Sequence, residues 1–172
     1  MSGPGKYLLD ANVFIEAKNR YYGFALCPGF WDCLISFGQQ GTVASVDRVR
    51  QELERGRDDL SDWVAASLGK EFFNVTGAAP VIACFSEMMR WVNGHKRFLP
   101  PAKKEFAEVA DGWLAAFAKV NGFALVTHES LKPDRKNKVS IPDVCQAFGV
   151  NYCDTFAMLR RLGAQFTWRP KG

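Results

Sequence analysis

The chain has 172 residues, 48% of them hydrophobic, and a formal net charge of +4 at pH 7. That length suits one domain over residues 1–172 with a sizeable core, and no stretch is apolar for long enough to span a bilayer. Five cysteines without a CxxC pair read as reduced core thiols, and an N-terminus that enters a strand without a signal-type apolar segment points to a soluble, cytoplasmic protein.

In chain order, Tyr7 to Leu9 reads as a strand and Pro28 to Phe37 as a helix that opens with Pro and stops toward Gly38 and Gly41. Thr42 to Val46 is a short strand feeding a helix over Asp47 to Arg55, with Gly56 as its stop. A helix over Leu60 to Leu68 and a strand over Glu71 to Val75 follow. Ala79 to Val92 and Pro101 to Val120 read as long helices, the second framed by Pro100-Pro101 and Asn121-Gly122. Phe123 to Thr127 is a strand and His128 to Lys138 a polar loop. Val139 to Ile141 reads as a short strand, Pro142 to Phe148 and Asp154 to Leu162 as helices, and Gln165 to Trp168 as a final strand. Strands separated by helices imply an α/β fold of three layers, α/β/α, with a mainly parallel central sheet. Such sheets carry their sites at the carboxyl ends of the strands.

Acids stand in unusual places along this pattern. Asp10 is the only acid between Lys6 and Ile15, at the end of the first strand; it reads either as the N-cap of a following helix or as a ligand. Asp111 is the only ionisable group between Val109 and Ala118, within the predicted helix Pro101 to Val120, with no base one turn away. Gly112 beside it costs helix stability and suggests a close approach of another backbone or a ligand. Glu129 follows an apolar strand. On the helix Asp47 to Arg55, Glu52 and Glu54 flank the apolar stripe on opposite sides, and periodicity does not choose between them. Isolated acids of this kind need compensation, and a divalent cation is the simplest form of it.

The positive charge is bunched: His95-Lys96-Arg97, Lys103-Lys104, Lys132 with Arg135, Lys136 and Lys138, Arg160-Arg161, and Arg169 with Lys171. Each group taken singly reads as solvated surface. Beside a cluster of buried acids, together they suit a polyanion held against a metal site.

The segments Leu8-Leu9-Asp10-Ala11-Asn12-Val13-Phe14, Val49-Arg50-Gln51-Glu52-Leu53, Ala110 to Ala118 and Leu125-Val126-Thr127-His128-Glu129 resemble, in order and spacing, those of the PIN-domain nucleases, which include the VapC-type toxins. Val139-Ser140-Ile141-Pro142-Asp143-Val144-Cys145 resembles a less characterised branch of that family. The resemblance implies a PIN-like fold. It makes Asp10, Glu52, Asp111 and Glu129 the catalytic metal ligands, selecting Glu52 over Glu54, with Asn12 and Thr127 supporting them. Glu129 stands where the family more often has Asp.

The cofactor so implied is Mg²⁺ or Mn²⁺, because an all-oxygen donor set without His or Cys suits those ions. The implied function is a metal-dependent endoribonuclease, the toxin of a type II toxin–antitoxin pair, with RNA as substrate, an antitoxin protein as partner and a homodimeric state. Lys132, Arg135, Lys136 and Lys138 are then the expected RNA-binding residues on the rim. The competing reading is a catalytically silent PIN-like module for RNA binding or interaction. A haloacid-dehalogenase-like phosphatase also carries Asp after its first strand, but needs a second Asp where this chain has Asn12.

Overall fold

A computed structural model describes residues 5–172 of the protein. Five strands form one sheet: β1 (Tyr7–Leu9), β2 (Val43–Val46), β3 (Phe73–Asn74), β4 (Ala124–Val126) and β5 (Tyr152–Cys153). Their order is β3-β2-β1-β4-β5, and every neighbouring pair is parallel. The expected mainly parallel sheet is therefore parallel throughout. Residues of β1 and β2 are buried without alternation, as strands covered on both faces require.

The helices between them are α1 (Ala11–Glu16), which continues as a π-helical turn over Ala17–Tyr21, α2 (Pro28–Gln39), α3 (Asp47–Arg55) and α4 (Asp59–Ser67). A 3₁₀ turn over Lys70–Phe72 precedes β3. Then come α5 (Ala79–Gly94), α6 (Pro100–Glu108), α7 (Asp111–Asn121), α8 (Ile141–Phe148) and α9 (Thr155–Arg161). All five cysteines are free; Cys84 and Cys145 are buried, and Cys27, Cys33 and Cys153, expected in the core, are only partly buried.

The predicted single helix from Pro101 to Val120 is two helices. Val109 takes an extended conformation, φ −92° and ψ 170°, and ends α6. Asp111 consequently opens α7, where an acid is favoured by the helix dipole, and is not the unexplained mid-helix Asp the sequence suggested. The close approach expected at Gly112, of another backbone or a ligand, is instead one of aromatic side chains: a Cβ there would lie 2.8 Å from Phe85 and 3.0 Å from Phe106.

Three short strands also read differently. Val139 and Ser140 lead into α8 instead of forming a strand, because the Ser140 hydroxyl and the Asp143 carboxylate build a capping box there. Gln165 to Trp168 is irregular and exposed, with Trp168 84% exposed, and the sheet edge is taken by Tyr152–Cys153, too short to show any alternation. Only Phe73 and Asn74 of the predicted strand from Glu71 to Val75 pair, with Ser45 and Val46.

Substitution of Gly112 by Ala is expected to destabilise the fold by about 1–3 kcal/mol, the usual cost of overpacking, read as a lower urea midpoint. An unchanged midpoint would show that the two phenyl rings move aside freely.

Candidate functional site

The carboxyl end of β1 delivers Asp10 to the edge of the sheet. The Leu9 carbonyl is closed by the Ser45 hydroxyl at 2.6 Å, and the Asp10 N–H donates to the Val126 carbonyl at 3.1 Å. The backbone is thus held from β2 and β4 at once. Asp10 is the residue before α1, but its side chain makes no capping hydrogen bond. It accepts from the Thr127 hydroxyl at 3.2 Å instead, and is only 3% exposed.

Asp111, Glu52 and Glu129 open with Asp10 onto one cavity of about 160 Å³. Asp111 comes from the first turn of α7 and Glu52 from the exposed side of α3. Glu54 lies off this cavity and pairs with Arg50 at 2.7 Å. Asn12 lines the wall, and among the described residues its side chain makes no hydrogen bond to an acid. Thr127 does act on two of them: its hydroxyl also accepts the Glu129 N–H at 3.1 Å, tying the end of β4 to Asp10.

Glu129 differs from the other three. One carboxylate oxygen is paired with the Lys138 ammonium, and the other accepts the Ile141 N–H, at the start of α8, at 2.8 Å. The longer side chain makes this double engagement possible. Lys138, expected on an RNA-binding rim, faces the acids from inside the cavity, whereas Lys132, Arg135 and Lys136 lie outside it. Arg135 reaches the Ser130 carbonyl at 3.4 Å, and the Leu99 N–H donates to the Lys136 carbonyl at 2.9 Å. His128 bonds Thr155 at 2.9 Å and sits against Tyr21 and Phe156, outside the cavity.

Two contributors were not legible in the sequence. Glu105 of α6 brings a fifth acid to the cavity, and its register with Asp111 emerges only once the chain breaks at Val109. The Ile141 N–H has no side-chain signal, although the Ser140 to Asp143 capping box marks where it stands.

Burial first, and neighbouring negative charge second, shifts the protonation of these groups. Burial, with the charges of Glu129 and Glu52, pushes the Asp10 carboxyl up to about 7. Burial and the Asp10 charge raise Asp111 well above the carboxylate range, and burial raises Glu52. For Lys138 burial works against the charge, but its pairing with Glu129 outweighs it and the net movement is upward. Among the described residues no three His, Cys, Asp or Glu side chains are gathered closely enough to hold an ion as they stand.

The profile of a family described as a domain of unknown function (DUF4411) matches residues 7–166. The chain belongs to that family. Among solved structures it is similar to VapBC2 from Rickettsia felis, bound to a DNA fragment from their promoter, with 15% identity, a TM-score of 0.51, and coverage of 86% of this chain and 97% of that one. It is similar to FitAcB from Neisseria gonorrhoeae with 19% identity, a TM-score of 0.53, and coverage of 85% and 95%. No curated protein sequence matches the chain. At these identities the likeness concerns the fold, and the PIN-like α/β/α architecture implied by the sequence is the one found.

The raised Asp10 pKa has a sign that can be tested. The folded protein binds this proton more tightly than the unfolded chain, so the resulting stability is complete below pH 3.8 and lost as pH rises through about 7. In EDTA, wild type should lose roughly 2–3 kcal/mol relative to Asp10→Asn between about pH 5 and about pH 8, measured by chemical denaturation at each pH. Parallel profiles for the two proteins would contradict the assignment.

Proposed function

We propose that the chain is a metal-dependent endoribonuclease that hydrolyses RNA phosphodiester bonds, and that it is the toxin of a type II toxin–antitoxin pair. The observation that carries the reading is the shared cavity of Asp10, Glu52 and Asp111, none of which has an ion pair among the described residues. Two unit charges about 4 Å apart repel by about 4 kcal/mol at an effective dielectric of 20; protonation of Asp10 and Asp111 relieves such repulsion without metal, and a cation would relieve it with the acids ionised. The donors fit a hard ion, because no imidazole or thiol lines the cavity. A bound Mg²⁺ or Mn²⁺ would supply water of lowered pKa and stabilise the charge that develops on the phosphoryl group.

The chain's own groups have separable tasks in this scheme. Asp10, whose backbone is held from β2 and β4 and whose side chain accepts from Thr127, would be the most rigid ligand, with Asp111 from α7 and Glu52 from α3 completing the set. Glu129 holds Lys138, whose ammonium faces the cavity where it would meet a phosphoryl oxygen, and the Glu129 carboxylate would be the fourth ligand. Lys132, Arg135 and Lys136 would hold the RNA backbone outside the cavity. An antitoxin partner is supported by the two similar structures, VapBC2 and FitAcB; a homodimer and a cytoplasmic location complete the proposal. Among the described residues no helix is long and apolar enough to cross a membrane.

A second reading, a catalytically silent PIN-like module, is favoured by the engagement of both Glu129 oxygens. Hydrolysis of single-stranded RNA separates the two. The nuclease requires Mg²⁺ or Mn²⁺, stops in EDTA, and loses roughly a hundredfold or more in kcat for Asp10→Asn or Asp111→Asn, with a smaller loss for Glu129→Gln. RNA bound but uncut in the presence of either ion would establish the silent module.

Replacement of Lys132, Arg135 and Lys136 by Ala should weaken binding of unrelated RNA sequences alike and make the salt slope shallower by about 0.7 per lost contact. An unchanged slope, read by fluorescence titration at several salt concentrations, would assign the loop to solvent.

A further inference from the structure

From the surface of α3 we infer a second anion site, in which Arg48 binds the phosphodiester adjoining the one held at the acids. The inference rests on the RNA-cleaving reading above and extends it to residues outside the bunched basic groups. Arg48 stands four positions before Glu52, one helical turn away on the same side of α3. The two side chains line a second cavity, of about 300 Å³, that shares Glu52 and Val109 with the acidic one. A chain leaving the acids past Glu52 therefore meets Arg48.

Arg48 is held in place as few exposed arginines are. Its guanidinium carbon lies 4.0 Å from the centre of the Trp113 ring, and that ring stacks on Phe85 at 3.8 Å with 8° between the planes. Its Nε donates to the Thr76 hydroxyl at 3.2 Å. Asp47 accepts the Arg48 N–H at 2.9 Å, the Thr76 hydroxyl at 2.9 Å and the Thr76 N–H at 3.2 Å, so it reaches the guanidinium only through Thr76. Among the described residues Arg48 has no ion pair, and its two terminal nitrogens have no hydrogen-bond partner.

A planar guanidinium fixed by stacking, with its outer edge free, is pre-organised for the paired oxygens of a phosphate. Arg55 on the same wall adds positive charge, and Glu108 and Glu52 oppose it; a cation held by Glu52 would remove part of that opposition. Both supporting helices also carry the acids: Arg48 and Glu52 share α3, and Trp113 lies two residues after Asp111 on α7. The separation between the anion site and the acids is thus set by two rigid elements.

The test uses full-length Asp10→Asn protein in Mg²⁺, so that RNA is bound without being cut, with a labelled single-stranded oligouridylate titrated at several salt concentrations. Adding Arg48→Gln should raise Kd about tenfold and make the salt slope shallower by about 0.7. Arg48→Lys, which keeps the charge but not the planar fork, should retain the slope with intermediate affinity. Equal Kd and slope in Arg48→Gln and its parent, when the parent binds RNA, overturns the Arg48 site and leaves the nuclease reading intact. A parent that binds no RNA overturns both. Comparable melting temperatures for Arg48→Gln and Arg48→Lys confirm that the difference between them is one of binding, and a binding loss that appears only with a fallen melting temperature in both counts against the site.

Discussion

Negative charge collected at one edge of the sheet, with a single lysine beside it, is the constraint on which the other features depend. Parallel strands bring β1 and β4 to the same edge, so Asp10 and Glu129 arrive there whatever the rest of the chain does. The cost of burying them is met piecemeal. Thr127 gives Asp10 one hydrogen bond, Lys138 and the first amide of α8 take the Glu129 oxygens, and the raised pKa values of Asp10 and Asp111 express what is left over. A site finished for structure alone would have closed that deficit with a base. Its persistence is the physical reason to read the cavity as a place for a cation.

The polar loop between β4 and α8 is fastened to this arrangement rather than hanging from it. Arg97 donates to the Pro133 carbonyl and to the Asp143 carboxylate, and Asp143 in turn binds the Ser140 backbone and hydroxyl. Ser140 positions the first turn of α8, whose Ile141 amide holds Glu129. One connected set of bonds therefore runs from the basic group at His95-Lys96-Arg97 to the fourth acid. The Arg97–Asp143 pair is largely shielded, and breaking one partner of such a pair leaves a buried charge uncompensated. The capping box explains why a helix starts at Ile141, where a short strand over Val139 to Ile141 was expected.

The parallel sheet, the helix Asp47 to Arg55 and the isolation of Asp10 were legible because each depends on local sequence: apolar runs, turn residues, one acid in an apolar segment. The break between α6 and α7 was not, since Val109 and Ala110 carry no stop signal; it accompanies the seating of Gly112 between Phe85 of α5 and Phe106 of α6. Asp111 was singled out partly for its mid-helix position, which the break at Val109 removes; it is partly buried and lines the cavity with the other acids. Lys138 was read as rim because a basic residue in a polar loop carries no sign of its direction. Only the pairing with Glu129 fixes that.

The anion site inferred at Arg48 lies outside the bunched basic groups, and its geometry is what sets it apart from them. Clustered lysines and arginines are conspicuous in a sequence, but a cluster in water repels itself, is screened within about 10 Å at 0.1 M salt, and has no defined geometry. A single arginine clamped between a tryptophan face and a buried threonine loses little side-chain freedom on meeting a phosphate, so more of its Coulomb attraction survives as binding. It also lies on the helix that supplies Glu52, so any shift of α3 moves the acid and the base together. Opposite charges one turn apart would normally pair across the helix surface; here Arg48 is held by Trp113 and Thr76 and leaves Glu52 free for the cavity. The aromatic stack thus does two things at once: it orients a cation, and it prevents that cation from neutralising an acid of the candidate site.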